Sequence, residues 1–547
     1  MSNFGSVAIA THNRAKAFRR VITEAERKDL PAVALAVAAM GILALILNVS
    51  VILVGIHHTL YDAHSWRQTQ TALGAESLLR GDSFLRYETP LLGPPWSMPL
   101  EFPLYQGIVA GIIKIFGTPL EETGRAVSIL FFYLCFFPLG LMLHRLGFRP
   151  IQIVIVLAIL LVSPLYIFWS RVFMRESMVL FFSLMYAERM FQLSLGEQPW
   201  RYRQMFAATV FGAAAGMVKV TTFAPYYMLG VCVATWQAWK LYRAGAIDGR
   251  RIGVAALFTG ILPVVFTGLW TNFADNVMSQ NPLGALMTAK AQSSGWVIAI
   301  PERLQLRWYH LLEFGIHYQI GYTVAAVLIV GVYAGLHAGG EYSQHLQRWT
   351  LIAAACGILY TGTTILFFKL HAAHEYYPYA TALFLVVGIG ALIAPLIELP
   401  ERKAWLGVVL MFIEMCACVS CYFRHYYPIQ SRNYPGSADV AALIDRSTSR
   451  DGVILVTGQD WAPLISYQSH RRAIMDAYFG YAGHPMDAGP VQKSIENLGP
   501  RNIAAVVACG ANRNSDRLRV LLQIADMKSS SELHGDECDV YERGAGQ

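Results

Sequence analysis

Charged residues are scarce in this chain. Asp, Glu, Lys and Arg together make up 14% of its 547 residues, whereas a typical soluble protein contains about 25%. Hydrophobic residues make up 55%, and the mean hydropathy is +0.41. Long apolar runs replace the several soluble domains that this length would otherwise suggest. The composition therefore predicts one polytopic membrane domain with smaller additions.

Motifs that indicate other chemistry are missing as well. The eight cysteines do not form the paired CxxC motifs of a zinc site, and Cys416, Cys418 and Cys421 fall in an apolar run that is typical of core positions. The carboxy-terminal part has no GxGxxG loop, which argues against nucleotide binding there. The net charge of +7 does not indicate nucleic acid, because the excess Lys and Arg lie in short loops between apolar segments.

The apolar runs predict about 11 membrane-spanning helices, with a range of about 10 to 13. A basic, cytosolic amino terminus (1–32) precedes the first of them. The predicted spans lie near 33–55, 125–145, 150–169, 173–193, 204–218, 222–240, 252–271, 319–337, 349–369, 378–397 and 404–423. The segment 104–117 is apolar but short, which favours an interfacial helix.

Alternating these spans across the membrane places most basic loops on the cytosolic side. The opposite side then receives the loops 56–124 and 272–318 and the tail 426–547. In the tail, GVILVTG and IAAVVACG are typical of buried strands, and 437–447, 487–498 and 514–527 of helices. We predict a small periplasmic α/β domain over the outer face, where Cys509 and Cys538 can pair if the tail lies outside the cytosol.

Four polar motifs separate the apolar runs on the predicted outer side. They are YDAHSWRQ around Asp62, RVFMRES around Glu176, GMVKVTT around Lys219 and HAAHEYYP around His374. Charged groups at membrane depth are costly and are retained mostly where they carry out chemistry or line a polar cavity. Four such motifs on one side predict an active site.

Each motif also has a simpler interpretation. Asp62 suits the N-cap of the helix that follows it, and Glu101 suits a loop carboxylate bound by backbone donors. The run from Arg171 to Glu176 could form an ion pair within its own turn. Lys219 has no acidic neighbour in sequence, so it would either bind an anion or extend to the interface. Tyr376 is typical of an interfacial aromatic belt, and the paired His and Glu of the same motif could hold a phosphate or a metal.

Taken together, the motifs favour one kind of reaction. They supply candidate bases (Asp62, Glu101 and Glu176) and candidate anion binders (Arg67, Arg171, Lys219 and His374). An inverting displacement at a sugar's anomeric carbon needs both. A carboxylate deprotonates the incoming hydroxyl, while cations stabilise the departing phosphate.

The ordered set of motifs resembles the GT-C membrane glycosyltransferases. The similarity is to the protein-mannosyltransferase and aminoarabinose-transferase branch, which includes lipopolysaccharide-core sugar transferases. It lies in six motifs: D-x-H-x-W-R-Q at Asp62, E-F-P-L-Y at Glu101, GRAVSIL, S-R-x-F-M-x-E, the lone Lys of GMVKVTT, and H-x-Y-Y-P. The resemblance covers about residues 33–425. It implies a polytopic α-helical fold. The tail is similar only in being a small outer α/β domain.

The resemblance also implies site roles. Asp62 would be the catalytic base, Glu176 a second acidic residue facing the cavity, and Glu101 the acidic residue of a loop that often reads E-K-P in relatives. Phe102 replaces that lysine here. Lys219 would bind the donor phosphate, with His374 and Tyr376 near the cavity mouth.

The resemblance further implies a polyprenyl-phosphate sugar as donor and inversion at the transferred sugar. The acceptor would be lipopolysaccharide or lipid A, a glycan or a protein, at the outer face of a bacterial inner membrane. Family members with and without a divalent metal exist, so a metal stays open. The alternatives are a secondary transporter or lipid-sugar flippase, which the lack of internal repeats disfavours, and a non-catalytic scaffold.

Overall fold

The computed structural model describes residues 30–195, 200–296, 316–321, 326, 329–333, 343–399, 401–477, 489–527 and 530–543. Nearly all of the basic amino terminus lies outside these residues. So do most of the predicted span 319–337 and the second half of the predicted outer loop 272–318.

The described residues between Leu30 and Ser431 form a helical membrane module. Its helices are α1 Leu30–Ile52, α2 Ser65–Arg80, α3 Leu104–Phe116, α4 Leu120–Leu134, α5 Phe136–Arg145, α6 Pro150–Val162, α7 Pro164–Trp169, α8 Glu176–Leu195, α9 Tyr202–Arg243, α10 Gly249–Ala255, α11 Leu262–Met278, α12 Ala289–Trp296, α13 Tyr318–Ile320, α14 Ser343–Leu366, α15 Phe368–Ala373, α16 Ala382–Ile393 and α17 Ala404–Ser431. A π-helical turn, Ala256–Ile261, joins α10 to α11.

Six helical stretches in the described residues are long and apolar enough to cross a membrane. They are Pro31–Ile52, Leu120–Arg145, Tyr202–Arg243, Gly249–Met278, Gln347–Leu366 and Ala404–Ser431. Three shorter apolar helices, Leu104–Phe116, Pro150–Val162 and Ala382–Glu398, accompany them. The polytopic helical architecture is confirmed, whereas the count of about 11 spans stays a prediction.

The longest helix, α9, is bent back on itself at Lys219, where the backbone is extended (φ −160°, ψ 97°). A Cβ placed on Gly212 or on Gly230 would lie within 3.0 Å of the Tyr186 ring in α8. In a straight helix these two glycines would be about 27 Å apart. The arms before and after Lys219 therefore fold into a hairpin that packs along α8, as expected for two predicted spans separated by a turn at 219–221.

The tail forms a five-stranded sheet in the order β2-β1-β3-β5-β4. Its elements are α18 Ala438–Ser447, β1 Val453–Thr457, α19 Leu464–Ser469, β2 Arg472–Met475, α20 Gly489–Leu498, β3 Ile503–Cys509, α21 Asp516–Ile524, β4 Ser530–His534 and β5 Cys538–Arg543. β2, β1 and β3 are parallel, while β5 and β4 are antiparallel. The two strands and three helices that the sequence predicts are present, and β2, β4 and β5 are additional.

The tail is joined to the first outer loop by backbone hydrogen bonds. The Ala473 N–H donates to the Pro90 carbonyl at 2.9 Å, and the Met475 N–H donates to the Leu91 carbonyl at 2.8 Å. Leu92 continues this pairing through a bridge to Ile474. The loop thus adds a short strand to the free edge of β2, and both share one hydrophobic core. This attachment holds the tail against the loop that carries the predicted site residues.

Cys509 and Cys538 face each other on β3 and β5 and form a disulfide. We expect thiol labelling of the denatured, unreduced protein to leave these two cysteines unmodified, while the six free cysteines react, namely Cys135, Cys232, Cys356, Cys416, Cys418 and Cys421. Reduction before labelling should add both tail cysteines. Labelling of Cys509 without reduction, in protein purified from cells, would contradict an oxidising location for the tail.

Candidate active site

Eight buried charged residues converge where the first outer loop meets the start of α8 and the bend of α9. They are Asp62, Arg67, Glu101, Arg125, Arg171, Arg175, Glu176 and Lys219, and each has at most 9% of its surface exposed. We call this set the charge network. It contains six of the eight residues predicted as catalytic or binding, and they come from four separate segments of the chain.

Asp62 is held by two arginines. Arg171 Nη1 donates to its Oδ2 at 3.2 Å, and Arg125 Nη2 lies 3.7 Å from the same oxygen. The Gln68 side chain donates to Asp62 Oδ1 and also accepts from the Phe173 N–H. The N-cap of α2 is His64, whose side chain makes no capping bond. The interpretation of Asp62 as a helix cap is therefore wrong.

Glu101 is bound by side chains rather than by backbone donors. Arg175 Nη1 lies 2.8 Å from its Oε1, Arg67 Nη2 lies 3.1 Å from its Oε2, and Gln106 Nε2 donates to Oε1 at 3.2 Å. Burial alone would raise the pKa of Glu101, but the two guanidinium groups outweigh burial and lower it. Glu101 is therefore an ionised carboxylate at neutral pH.

Glu176 pairs with Lys219. The Lys219 Nζ donates to Glu176 Oε2 at 2.7 Å, and the same ammonium lies 4.2 Å from the centre of the Tyr377 ring and 5.0 Å from that of Tyr376. Glu176 Oε1 has no hydrogen-bond partner among the described residues. Lys219 is thus paired with a carboxylate. Its partner was not apparent in the sequence because the two residues are 43 positions apart.

The three charged residues of the turn before α8 pair with three different partners. Arg171 binds Asp62, Arg175 binds Glu101, and Glu176 binds Lys219. An ion pair within that turn, the simpler interpretation of this motif, is not what the structure shows. The turn instead links the first outer loop to α9, which makes it the centre of the charge network.

An aromatic wall lies beside the charge network and includes the remaining two predicted residues. Its rings belong to His64, Trp66, Trp169, His374, Tyr376 and Tyr377. The His64 ring centre lies 5.4 Å from that of His374, 5.2 Å from that of Tyr376 and 5.5 Å from that of Trp169. Trp461 of the tail reaches the wall, with its ring 5.2 Å from that of Trp66. Aromatic faces beside ionised groups suit a sugar and its charged leaving group.

Sequence reasoning missed part of this arrangement. Arg125 lies in GRAVSIL and Arg175 in RVFMRES, so both were visible in the motifs but received no role. Gln68, which bridges Asp62 to the Phe173 backbone, was also passed over. Arg175 and Gln68 each lie next to a predicted site residue, Glu176 and Arg67. Arg125 is the one charged residue of the otherwise mostly apolar motif GRAVSIL.

The imidazole of His374 is expected to make stability depend on pH. Burial lowers its pKa to about 4, helped by the positive charges of His64, Lys219 and Arg67, whereas an unfolded His titrates near 6.5. The unfolded chain therefore takes up this proton first. Stability should be full above about pH 6.5 and fall as the pH drops from 6.5 towards 4, by at most ~1.4 kcal/mol per pH unit.

The test compares thermal unfolding midpoints between pH 7.5 and 4 for His374→Asn and for His470→Asn, an exposed tail histidine. The first variant should flatten the dependence relative to wild type, and the second should leave it unchanged. Equal slopes in all three proteins would contradict a neutral, half-buried His374.

A metal site is not evident within the charge network. Among the described residues, the group of ligand side chains close enough to hold an ion is Glu532, His534 and Asp539 in the tail. Both oxygens of Asp539 already accept hydrogen bonds from Arg513, at 2.6 and 2.8 Å. This guanidinium occupies the position that a cation would need, so no metal role is assigned to the group.

Solved structures of membrane glycosyltransferases share this fold. ArnT from Cupriavidus metallidurans bound to undecaprenyl phosphate aligns with a TM-score of 0.55 at 12% identity, over 92% of this chain and 98% of that one. The arabinofuranosyltransferase AftD from Mycobacteria gives 0.51 at 12% identity, over 93% of this chain and 40% of that one. A third structure is the archaeal oligosaccharyltransferase AglB from Archaeoglobus fulgidus in complex with an inhibitory peptide and a dolichol phosphate. It aligns with a TM-score of 0.50 at 9% identity, over 95% of this chain and 75% of that one.

These likenesses define the class. The chain is a polytopic membrane protein with the GT-C fold, as the resemblance of its motifs implied. Neither a protein-family model nor a curated protein sequence matches it. At such low identity the likeness establishes the fold.

Proposed function

We propose that this protein is a glycosyltransferase that moves a sugar from a polyprenyl-phosphate donor to a hydroxyl group of an acceptor, with inversion at the transferred sugar. The observation that carries the proposal is the charge network itself, built at the predicted membrane boundary of a GT-C fold. Two structures of that fold contain a polyprenyl phosphate, undecaprenyl phosphate in ArnT and dolichol phosphate in AglB.

The balance of charge supports an anionic donor. The charge network contains five cations, Arg67, Arg125, Arg171, Arg175 and Lys219, and three carboxylates. Positive charges therefore exceed negative ones by two. A buried excess of this size favours an anion, and a lipid phosphate at the water–lipid boundary supplies one. The departing phosphate of the reaction would be stabilised by the same groups.

Asp62 is the residue that we assign as general base. It is the least buried of the three carboxylates, at 9% exposed against 4% for Glu101 and 1% for Glu176. It also precedes His64 and Trp66 of the aromatic wall, where a sugar would lie. The arginines at one oxygen and the Gln68 amide at the other fix its orientation, so it can accept the acceptor's proton as the new bond forms.

Lys219, Arg67 and Arg171 are the groups that we assign to the donor phosphate. Each already contacts a carboxylate, so a phosphate would share these cations or replace part of a pair. Phe102 stands where relatives often have a lysine, and its ring packs against those of Phe84 and Trp270, at 5.8 and 5.2 Å. Because Phe102 offers no cation, we assign the contact with the phosphate to the cations of the charge network. Glu101 and Glu176 then serve to hold the cations, with His374 and Tyr376 bordering the sugar.

The proposed setting is the outer face of a bacterial inner membrane, with the tail in the periplasm. The disulfide of the tail supports this side. The proposed acceptor is a glycolipid such as lipid A, a glycan or a protein. The contact of Trp461 with Trp66 supports a position of the tail at the edge of the proposed site. No observation favours the transporter alternative.

The first test supplies purified protein in detergent with radiolabelled polyprenyl-phosphate sugars and follows release of the lipid phosphate. We expect release from at least one donor, together with a labelled acceptor when a membrane extract containing glycolipids is added. Dolichyl and undecaprenyl carriers with the same sugar serve as matched donors. Transport of intact donor across sealed vesicles without any glycoside formation would overturn the proposal.

A further inference from the structure

A second concentration of charge lies at the far end of α9, away from the charge network. Lys240 and Arg243 end this helix, Arg250 and Arg251 begin α10, and Arg201 and Arg203 stand at the start of α9. All six residues are exposed. Lys219 and Arg243 are 24 residues apart along one helical arm, which spans about 36 Å. That distance is about one membrane thickness, so the six cations lie at the opposite membrane face.

These cations belong to one surface, because the hairpin of α9 brings its two ends together. The Arg251 Nη2 donates to the Trp200 carbonyl at 3.2 Å, which ties the start of α10 to the start of α9. Trp200, Met205, Ala238 and Ile247 are buried in a common core beneath them. Among the described residues at this end, Asp248 is the acidic one, and it caps α10 by accepting from the Arg251 N–H. We call this surface the basic end.

Two exposed tryptophans stack with two of the cations of the basic end. Trp236 and Trp239 are 57% and 49% exposed, and their ring centres are 5.5 Å apart. Lys240 Nζ lies 4.8 Å from the Trp236 ring, and the Arg243 guanidinium lies 5.0 Å from the Trp239 ring. Each cation follows its tryptophan by four residues, so each pair lies on one face of the helix. Stacking of this kind limits the positions of two side chains that would otherwise be mobile.

We propose that the basic end binds the phosphodiester headgroup of an anionic phospholipid, such as phosphatidylglycerol, in the leaflet opposite the charge network. The charge is complementary, since among the residues that the structure describes at this end six exposed cations accompany one carboxylate, Asp248. The exposed indole rings match the interfacial depth that tryptophan prefers, directly beside the acyl chains. The stacked Lys240 and Arg243 then lie at headgroup level, where each basic residue strengthens binding to an anionic surface.

The test uses the full-length protein in detergent micelles, titrated with phosphatidylglycerol or with phosphatidylcholine of the same acyl chains, and counts retained lipids by native mass spectrometry. We expect wild type to retain phosphatidylglycerol preferentially. Lys240→Gln with Arg243→Gln should weaken this binding by about 30-fold, since two basic residues near the headgroup are lost. Arg402→Gln with Lys403→Gln, which removes two exposed cations at another predicted cytosolic turn, is the matched control and should change it much less.

Two further measurements show whether the bound anion is a lipid and whether the tryptophans contribute to its binding. Glycerol phosphate without acyl chains should not compete, because the proposal requires a lipid. Trp239→Leu should weaken binding of phosphatidylglycerol while keeping all charges. Equal retention of both lipids by wild type would overturn the proposal, as would equal losses in the two double variants. Competition by glycerol phosphate would identify a soluble anion site instead.

Discussion

Replacing Asp62 with Asn is expected to lower the rate of sugar transfer by about 10²–10⁴-fold, the range by which a general base accelerates such a step. The amide keeps the size of the carboxylate but cannot take the acceptor's proton. Binding of the donor should change far less, because the proposed phosphate contacts are made by Lys219, Arg67 and Arg171. The measurement is the initial rate of glycoside formation, with donor binding followed separately by titration of the lipid phosphate.

The control must account for the structural role of Asp62, which holds Arg171 and Arg125. Asp82→Asn makes the same chemical change in the same loop, outside the charge network, and should leave the rate within about twofold of wild type. Thermal unfolding of both variants shows whether the fold persists. A well-folded Asp62→Asn protein with full activity would disprove the assignment and transfer the role of base to Glu101 or Glu176.

Lys219→Met is expected to have the second large effect, on both stability and transfer. It leaves the Glu176 carboxylate buried without its cation, and breaking a buried pair in this way costs about 3–5 kcal/mol. It also removes one of the proposed ligands of the donor phosphate. The double variant Lys219→Met with Glu176→Gln neutralises both partners and should therefore recover most of the lost stability.

The two effects separate in that double variant. If Lys219 binds the phosphate, transfer should stay low after stability returns, and the KM for the donor should rise. Thermal unfolding midpoints and donor kinetics for wild type, both single variants and the double variant complete the cycle. Recovery of near-normal transfer in the double variant would mean that Lys219 has only a structural role.

Local pattern was enough to predict many of the elements. The apolar run at 33–55 gave α1, the lone lysine between two apolar segments marked the bend of α9, and the runs VILV and IAAVVAC gave β1 and β3. Each of these elements is encoded by its own hydrophobic pattern. Strand β2 is only four residues long, β4 is largely polar, and half of the residues of β5 are polar, so none of the three contains a long apolar run.

The partners within the site could not be predicted in the same way. Glu176 and Lys219 are 43 residues apart, and Arg171 and Asp62 are 109 apart. Sequence pattern identified these side chains as unusual for their surroundings, but which charges meet depends on how the first outer loop, α4, the turn before α8 and the α9 hairpin pack together. This is why Lys219 looked unpaired and why Arg125 and Arg175 received no role.

The short strand that residues 90–92 add to the edge of β2 has a consequence for biosynthesis. Its hydrogen-bond partners, Ala473 and Met475, emerge from the ribosome long after the loop itself, roughly 20 to 80 s later at ordinary rates of synthesis. Throughout that interval the segment between Tyr87 and Glu101 has an unpaired edge. A chain that stops before β2 would keep all its apolar helices and yet lack a finished outer loop. Folding of the tail would then be required before the first outer loop reaches its final structure.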